Sequence, residues 1–235
     1  MSWQDKLRCV EPYVAGEQPK IVDMIKLNTN ENPYGPSDKV KEVLANIDIE
    51  KLRLYPSSDA NTLRKALADY YNLDEKQVFL GNGSDEVLAL TFLTFFNGED
   101  PVLFPDITYS FYPVYCNLYQ INYQLVRLND DFSINVTDFN QPNSGIIFPN
   151  PNAPTGLLVD LDFIETVLKN NPDSIVVIDE AYIDFGGKSC VPLINKYDNL
   201  VVIQTYSKSR SLAGIRLGVA LGSEEAISHL YDVKN

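Results

Sequence analysis

The chain has 235 residues, 45% of them hydrophobic, enough for one large core or two modest ones. Its formal net charge is −13, and with no basic block it offers nothing to nucleic acid; the acidity reads as plain solubility. Cys9, Cys116 and Cys190 lie too far apart for a zinc spacing, the single histidine, His229, excludes a multi-histidine metal site, and no apolar run is long enough to cross a bilayer. With no signal-peptide core at the start and cysteines suited to a reducing compartment, a cytoplasmic location is expected.

Residues 1–30 mix charge, proline and glycine without period and read as an N-terminal arm. At its end, Leu27-Asn28-Thr29-Asn30-Glu31-Asn32-Pro33-Tyr34-Gly35-Pro36 is a turn-rich loop. A linker would explain its Pro and Gly, but so many side-chain amides beside a tyrosine suit a polar ligand pocket. Ser37 can cap a helix carrying Val40, Val43, Leu44 and Ile47 at helical spacing. An extended link, Arg53-Leu54-Tyr55-Pro56, leads to a second amphipathic helix over 60–71, whose Leu63, Leu67 and Tyr70 read as core.

Val78-Phe79-Leu80 predicts a short strand, and Gly81-Asn82-Gly83-Ser84-Asp85-Glu86 turns the chain into an apolar helix over 87–96. Strand, glycine turn and helix N-terminus together make an anion site, because free backbone N–H groups converge there. No Gly-Lys-Ser/Thr follows, so this is not a Walker loop, and Glu86 stands where the dinucleotide fingerprint has its last glycine. The acidic pair opposes a bound phosphate, which would need a cation from elsewhere; Arg216 is the candidate.

The next strand, 101–104, is followed by Pro105-Asp106-Ile107-Thr108-Tyr109 and a helix with Phe111, Tyr112 and Tyr115. A strand over 121–126 and a polar loop over 130–142 come next. The strand 145–148 opens into Pro149-Asn150-Pro151-Asn152-Ala153-Pro154-Thr155-Gly156. Asp160 begins a helix with Phe163, Ile164, Val167 and Leu168. The apolar strand 175–178 ends in Asp179-Glu180-Ala181-Tyr182, and the strand 200–203 ends in Gln204-Thr205-Tyr206-Ser207-Lys208-Ser209. A strand over 216–222 and a helix capped by Ser223, holding Ile227 and Leu230, follow. Strands alternating with helices from Val78 onward predict a three-layer α/β/α fold with a mostly parallel sheet covered on both faces. The polar clusters fall just after strands, where ligands collect in such sheets, so one site built from many strand ends is the economical reading.

A lysine at a strand end, flanked by hydroxyls, can form a Schiff base with a carbonyl cofactor; the plain alternative for Lys208 is a solvated surface lysine. Asp179 follows an apolar strand, so burial should raise its pKa unless a cation is near; alone it could equally be a helix cap or a structural carboxylate. Joined to a phosphate cradle and a stacking tyrosine, the two are accounted for by pyridoxal 5'-phosphate. Lys208 would take its aldehyde and Asp179 would keep its ring nitrogen protonated. Tyr109 would stack on the ring and Tyr182 would donate to the phenolic oxygen. Backbone at Ser84 and Asp85, with Ser207 and Arg216, would hold the phosphate.

The stretches Asn-Glu-Asn-Pro-Tyr-Gly-Pro, Gly-Asn-Gly-Ser-Asp-Glu, Pro-Asn-Ala-Pro-Thr-Gly, Asp-Glu-Ala-Tyr, and Ser-Lys-Ser with Ala-Gly-Ile-Arg run in this order across nearly the whole chain. Together they resemble the histidinol-phosphate aminotransferase family, a branch of the fold-type-I pyridoxal-phosphate enzymes. The resemblance implies a transaminase with Lys208 as Schiff-base lysine, Asp179 as pyridine partner, Tyr182 beside them and Tyr109 as stacking ring. Glu86, Asn152 and Thr205 join the candidate cofactor contacts. Tyr55 becomes a phosphate contact given to the neighbouring subunit, hence a homodimer, and Asn28, Asn32 and Tyr34 lie near the substrate. Residues 31–235 would be the large cofactor-binding domain. The family's small C-terminal domain, with arginines that clamp the substrate anion, would be absent, so a truncated chain is expected. Ala153 stands where the family often has an asparagine on the phenolic oxygen, leaving that contact to Asn152 or to Tyr182 alone. The implied reaction converts histidinol phosphate and 2-oxoglutarate to imidazole acetol phosphate and glutamate, with no nucleic-acid or membrane partner. The alternatives are an aromatic-amino-acid aminotransferase, a threonine-phosphate decarboxylase, a noncatalytic cofactor-binding fragment, or a plain nucleotide-binding Rossmann domain, which would leave Lys208 without a task.

Overall fold

The structure is a computed structural model that describes residues 2–8, 10, 21 and 24–234. Cys9 and residues 11–20 of the expected arm lie outside the described residues. Seven strands form one sheet: β1 (Val78–Asn82), β2 (Val102–Pro105), β3 (Tyr123–Val126), β4 (Gly145–Pro149), β5 (Val176–Asp179), β6 (Leu200–Thr205) and β7 (Leu217–Gly222), in the order β1-β7-β6-β5-β4-β2-β3. Only β7 runs against the others, pairing antiparallel with both β1 and β6. The helices are α1 (Asp38–Ala45), α2 (Asn61–Tyr71), α3 (Gly83–Phe95), α4 (Phe111–Tyr119), α5 (Leu161–Asn170) and α6 (Glu224–Lys234). This is the mostly parallel, three-layer α/β/α arrangement expected from the alternation of strands and helices. No helix among the described residues is long and apolar enough to cross a membrane.

The central strands are apolar up to their carboxyl ends because both of their faces are buried. Successive side chains alternate between faces. Ile146, Phe148, Ile178 and Val202 join one core with Leu67 of α2 and Ile164 and Leu168 of α5. Ile147, Val177, Val201 and Ile203 join the other, with Leu88 and Phe92 of α3, Tyr112 of α4 and Ile227 of α6. Asp160 caps α5 by accepting from the Phe163 N–H at 2.8 Å, and Ser223 caps α6 by accepting from the Ala226 N–H at 3.2 Å. Ser37 stands at the start of α1, but its side chain makes no cap bond.

Four local readings change. Within the expected polar loop 130–142, Val136–Phe139 forms a 3-10 turn and buries Phe139 against Phe148, the ring centroids 5.5 Å apart. A lone phenylalanine among polar residues carries no period to announce this. Leu67 and Ala68 are the buried residues of α2, while Tyr70 is exposed and Leu63 marginally so, because the helix turns Leu67, Ala68 and Tyr71 to the sheet instead. No residue of α1 is buried, and Val43, Leu44 and the following Ile47 are exposed despite their helical spacing. Finally, β7 begins at Leu217, because Arg216 adopts left-handed backbone (φ 57°).

Candidate active site

Six parallel strands end at the edge of the sheet where the reversed β7 begins, and residues at the ends of β1, β2, β4, β5 and β6 meet Arg216 there. A cavity of about 430 Å³ opens between them, within the usual range for a small-molecule site. Ser84, Asp85, Tyr109, Asp179, Tyr182, Thr205, Ser207, Lys208 and Arg216 all line it.

Its floor is Asp179, the last residue of β5, which is only 4% exposed. The carboxylate accepts from the Tyr112 hydroxyl at 3.0 Å and the Ala181 N–H at 3.1 Å. Burial pushes its pKa up to about 6, and those two hydrogen bonds offset part of the rise.

One wall is the N-terminus of α3. Gly83 there has φ +80° and lies against the Arg216 guanidinium, which a Cβ would meet at 2.4 Å. Gly218 of β7 comes as close from the other side: its Cβ would sit 2.4 Å from Gly83 C and Ser84 N. Two glycines thus let the helix start and the strand start touch, which brings Arg216 beside free helix N–H groups. Arg216 pairs with the Asp85 carboxylate at 3.1 Å, and the Tyr109 hydroxyl donates to the same carboxylate at 3.0 Å. Burial, then the Asp85 charge, holds the Tyr109 phenol far above its ordinary pKa, so it stays a neutral donor. Glu86 does not line the cavity; its carboxylate folds back to accept from the Asn82 N–H at 2.7 Å.

The mouth is crossed by the turn-rich segment near residue 30. Lys208 Nζ donates to the Thr29 carbonyl at 2.9 Å and lies 5.8 Å from the centre of the Tyr182 ring. Asn30 donates to the Tyr182 hydroxyl at 2.9 Å. The Asn32 amide donates to the Lys208 and Ser209 carbonyls at 3.1 and 3.2 Å, so it braces the lysine's backbone. Ser207 N–H donates to Thr205 Oγ1 at 3.2 Å.

Other candidates lie elsewhere. Asn152 is buried, and its amide donates to the Ile107 carbonyl at 2.9 Å and Thr155 Oγ1 at 3.1 Å while accepting from Thr108 at 3.1 Å. It lines a second cavity behind the loop, and Ala153 faces the first. Asn28 and Tyr34 do not line the cavity, and Tyr55 is fully exposed. Conversely, the sequence gives Tyr112 no role in the site, and names Thr29, Asn30 and Glu31 only as part of a loop suited to a polar pocket. Tyr112 carried one signal: a core tyrosine needs a hydroxyl partner. In a turn-rich loop no periodicity says which residues face inward.

A family model described as aminotransferase class I and II matches residues 22–235. The chain is 66% identical over 235 residues to a histidinol-phosphate aminotransferase of Lactococcus lactis subsp. cremoris (strain SK11), covering 100% of this chain and 66% of that relative. It therefore spans just under two thirds of the length of that curated relative. The crystal structure of the histidinol-phosphate aminotransferase from Clostridium acetobutylicum superposes with a TM-score of 0.79 at 26% identity, covering 88% of this chain and 63% of that one. The histidinol-phosphate aminotransferase from Sinorhizobium meliloti in complex with pyridoxal-5'-phosphate shares the fold, with a TM-score of 0.80 at 19% identity over 88% of this chain and 58% of that one.

Proposed function

This chain belongs to the class I and II aminotransferases, and from that premise we propose that its protein moves an amino group between histidinol phosphate and 2-oxoglutarate, using pyridoxal 5'-phosphate. The observation that carries the reading is the meeting of Lys208, buried Asp179 and the α3–Arg216 corner around a single cavity of about 430 Å³. The 66% identity to the Lactococcus lactis relative supports this substrate over those of other branches.

The donor set suits the cofactor. Ser84 and Asp85 N–H groups, Ser207 and Arg216 offer a phosphate the mixed neutral and cationic donors it needs. Arg216 would be shared between that phosphate and Asp85. When bound, pyridoxal phosphate supplies a carbonyl for the incoming amine and a conjugated ring that accepts the electron pair left at the substrate Cα. Lys208 Nζ would hold the aldehyde carbon and, once displaced by the incoming amine, would as a free amine move the proton at the substrate Cα. Asp179 is largely ionised at neutral pH with a pKa of about 6, and a protonated ring nitrogen beside it would lower that value further. Tyr109 would stack on the ring, and Thr205, which lines the same cavity, would lie beside it. Tyr182 would take the phenolic oxygen without help from Asn152, whose amide is committed to its own loop.

The same proposal places Asn32 at the substrate mouth with Asn28 and Tyr34 further out. It makes Tyr55 a contact given to a second copy in a homodimer, divides the chain into arm (1–30) and large domain (31–235), assigns a small C-terminal domain to the rest of the protein, and sets the enzyme in the cytoplasm.

The test is to mix the protein with pyridoxal phosphate, follow the visible spectrum, reduce with borohydride and map the modified peptide. Label on Lys208, and none in Lys208→Ala, is expected; label elsewhere would overturn the assignment. Turnover of the full-length protein with histidinol phosphate, against phenylalanine and threonine phosphate, decides the substrate.

A further inference from the structure

Beneath the loop that carries Lys208 lies a set of polar side chains that does not line the cavity. Arg210 Nη2 donates to the Tyr71 oxygen at 3.2 Å. The Tyr71 hydroxyl donates to Gln204 Oε1 at 2.5 Å, and Gln204 Nε2 donates to Glu180 Oε2 at 2.8 Å. Glu180 is 1% exposed and also accepts from the Cys190 N–H at 2.7 Å and the Ser189 hydroxyl at 2.6 Å. Burial raises its pKa, and these donors work against the rise.

The polarity of each link is forced. A guanidinium only donates and a carboxylate only accepts, so the Gln204 amide must turn its NH₂ to Glu180 and its oxygen to Tyr71. Tyr71 must then give its one proton to Gln204 and accept from Arg210. Burial pushes the Tyr71 phenol up to about 12, so it keeps that proton at any working pH. Three hydrogen bonds thus point the same way, from a cation on the loop to an anion under the sheet, and bonds so aligned strengthen one another in a low-dielectric interior. Arg210 also covers the Tyr206 ring at 4.3 Å and sets its Nε 3.5 Å from the Asp184 carboxylate, to which the Ser209 hydroxyl donates. The residues on both sides of Lys208 are therefore tied down from below.

We propose that Tyr71, Gln204 and Arg210 are positioning residues that hold the Lys208 loop through a one-directional hydrogen-bond relay ending on the buried Glu180 carboxylate. The proposal rests on Lys208 being the cofactor-binding lysine, and it deepens that reading by saying what sets the lysine's place.

Tyr71→Phe deletes the one oxygen that both accepts and donates in the relay and keeps the ring. Without cofactor, amide hydrogen exchange is expected to quicken about tenfold over residues 206–212 and to stay unchanged at the centres of β4 and β6. With cofactor, the pyridoxal phosphate concentration that half-labels Lys208 in the borohydride assay should rise about tenfold. Arg210→Lys, which keeps the charge but cannot reach Tyr71 and Asp184 together, should do the same, and combining it with Tyr71→Phe should add little. If Tyr71→Phe does not fold, Arg210→Lys carries the test. Exchange that quickens equally across the sheet, or not at all, overturns the relay. No label on Lys208 in the unsubstituted protein would instead overturn the cofactor reading, and the exchange result would still judge the relay.

Discussion

Asp179 occupies its place at a cost to the fold. Its carboxyl, raised from 3.8 to about 6 by burial, binds more protons folded than unfolded between those values, so stability falls as pH rises through that window. That rise corresponds to about 3 kcal/mol at neutral pH, as an upper bound. Asp179→Asn is therefore expected to stabilise the cofactor-free chain by about 1–3 kcal/mol at pH 8 in urea unfolding, with the gain shrinking toward pH 4. The same substitution should weaken pyridoxal phosphate labelling of Lys208, since an amide cannot hold a proton on the ring nitrogen. An Asp179→Asn chain less stable than the parent at pH 8 would contradict this account. The position of Asp179 at the end of Ile175-Val176-Val177-Ile178 was legible in the sequence. The Tyr112 hydroxyl bonded to it at 3.0 Å was not, because Tyr112 comes from α4, and sequence spacing says nothing about which core tyrosine meets which carboxylate.

At the scale of elements, the junction of α3 with β7 makes the corner where the phosphate is proposed to sit. Gly218→Ala would drive a Cβ into the Gly83–Ser84 backbone, which no side-chain rotation relieves. A loss of about 2 kcal/mol or more in urea unfolding is expected, together with weaker protection of the chain by inorganic phosphate in a thermal melt. A contrasting change is Asp160→Ala, which removes the α5 cap at about 1 kcal/mol and should leave Lys208 labelling unaltered. The glycine turn at 81–83 could be read as an anion site from its order of strand, turn and helix. That Arg216 lies at that corner was open, since it depends on β7 running backwards, which brings the start of that strand to the edge where the others end.

For the whole molecule, the described residues of the N-terminal third are the least covered part. Tyr55 is fully exposed, and Val43, Leu44, Ile47, Ile49 and Leu52 are exposed apolar side chains. If Tyr55 serves a second copy's site, as proposed, Tyr55→Ala and Lys208→Ala subunits should each be impaired alone. Mixed and refolded together, they should regain part of the Lys208 labelling, because one of the two sites in a heterodimer is then intact. No recovery, with dimers shown by sedimentation, would place Tyr55 outside the neighbouring site.

Local order decided much of this protein before any tertiary contact. Apolar runs of strand length separated by amphipathic helices left few options besides a covered parallel sheet, and polar residues placed after each run could only collect at one edge. Lys208, Asp179, Tyr109, Ser84 and Ser207 follow from that rule, and they do line one cavity, which Arg216 joins from the start of the reversed β7. What the tertiary structure alone decided is which way side chains turn where no period constrains them. Asn152 bonds into its own loop while Ala153 faces the cavity, the Thr29 carbonyl accepts from Lys208, and Glu180 ends a relay that starts beside the lysine. Each outcome rests on partners distant along the chain, and hydrogen bonds between distant residues leave no trace in local composition.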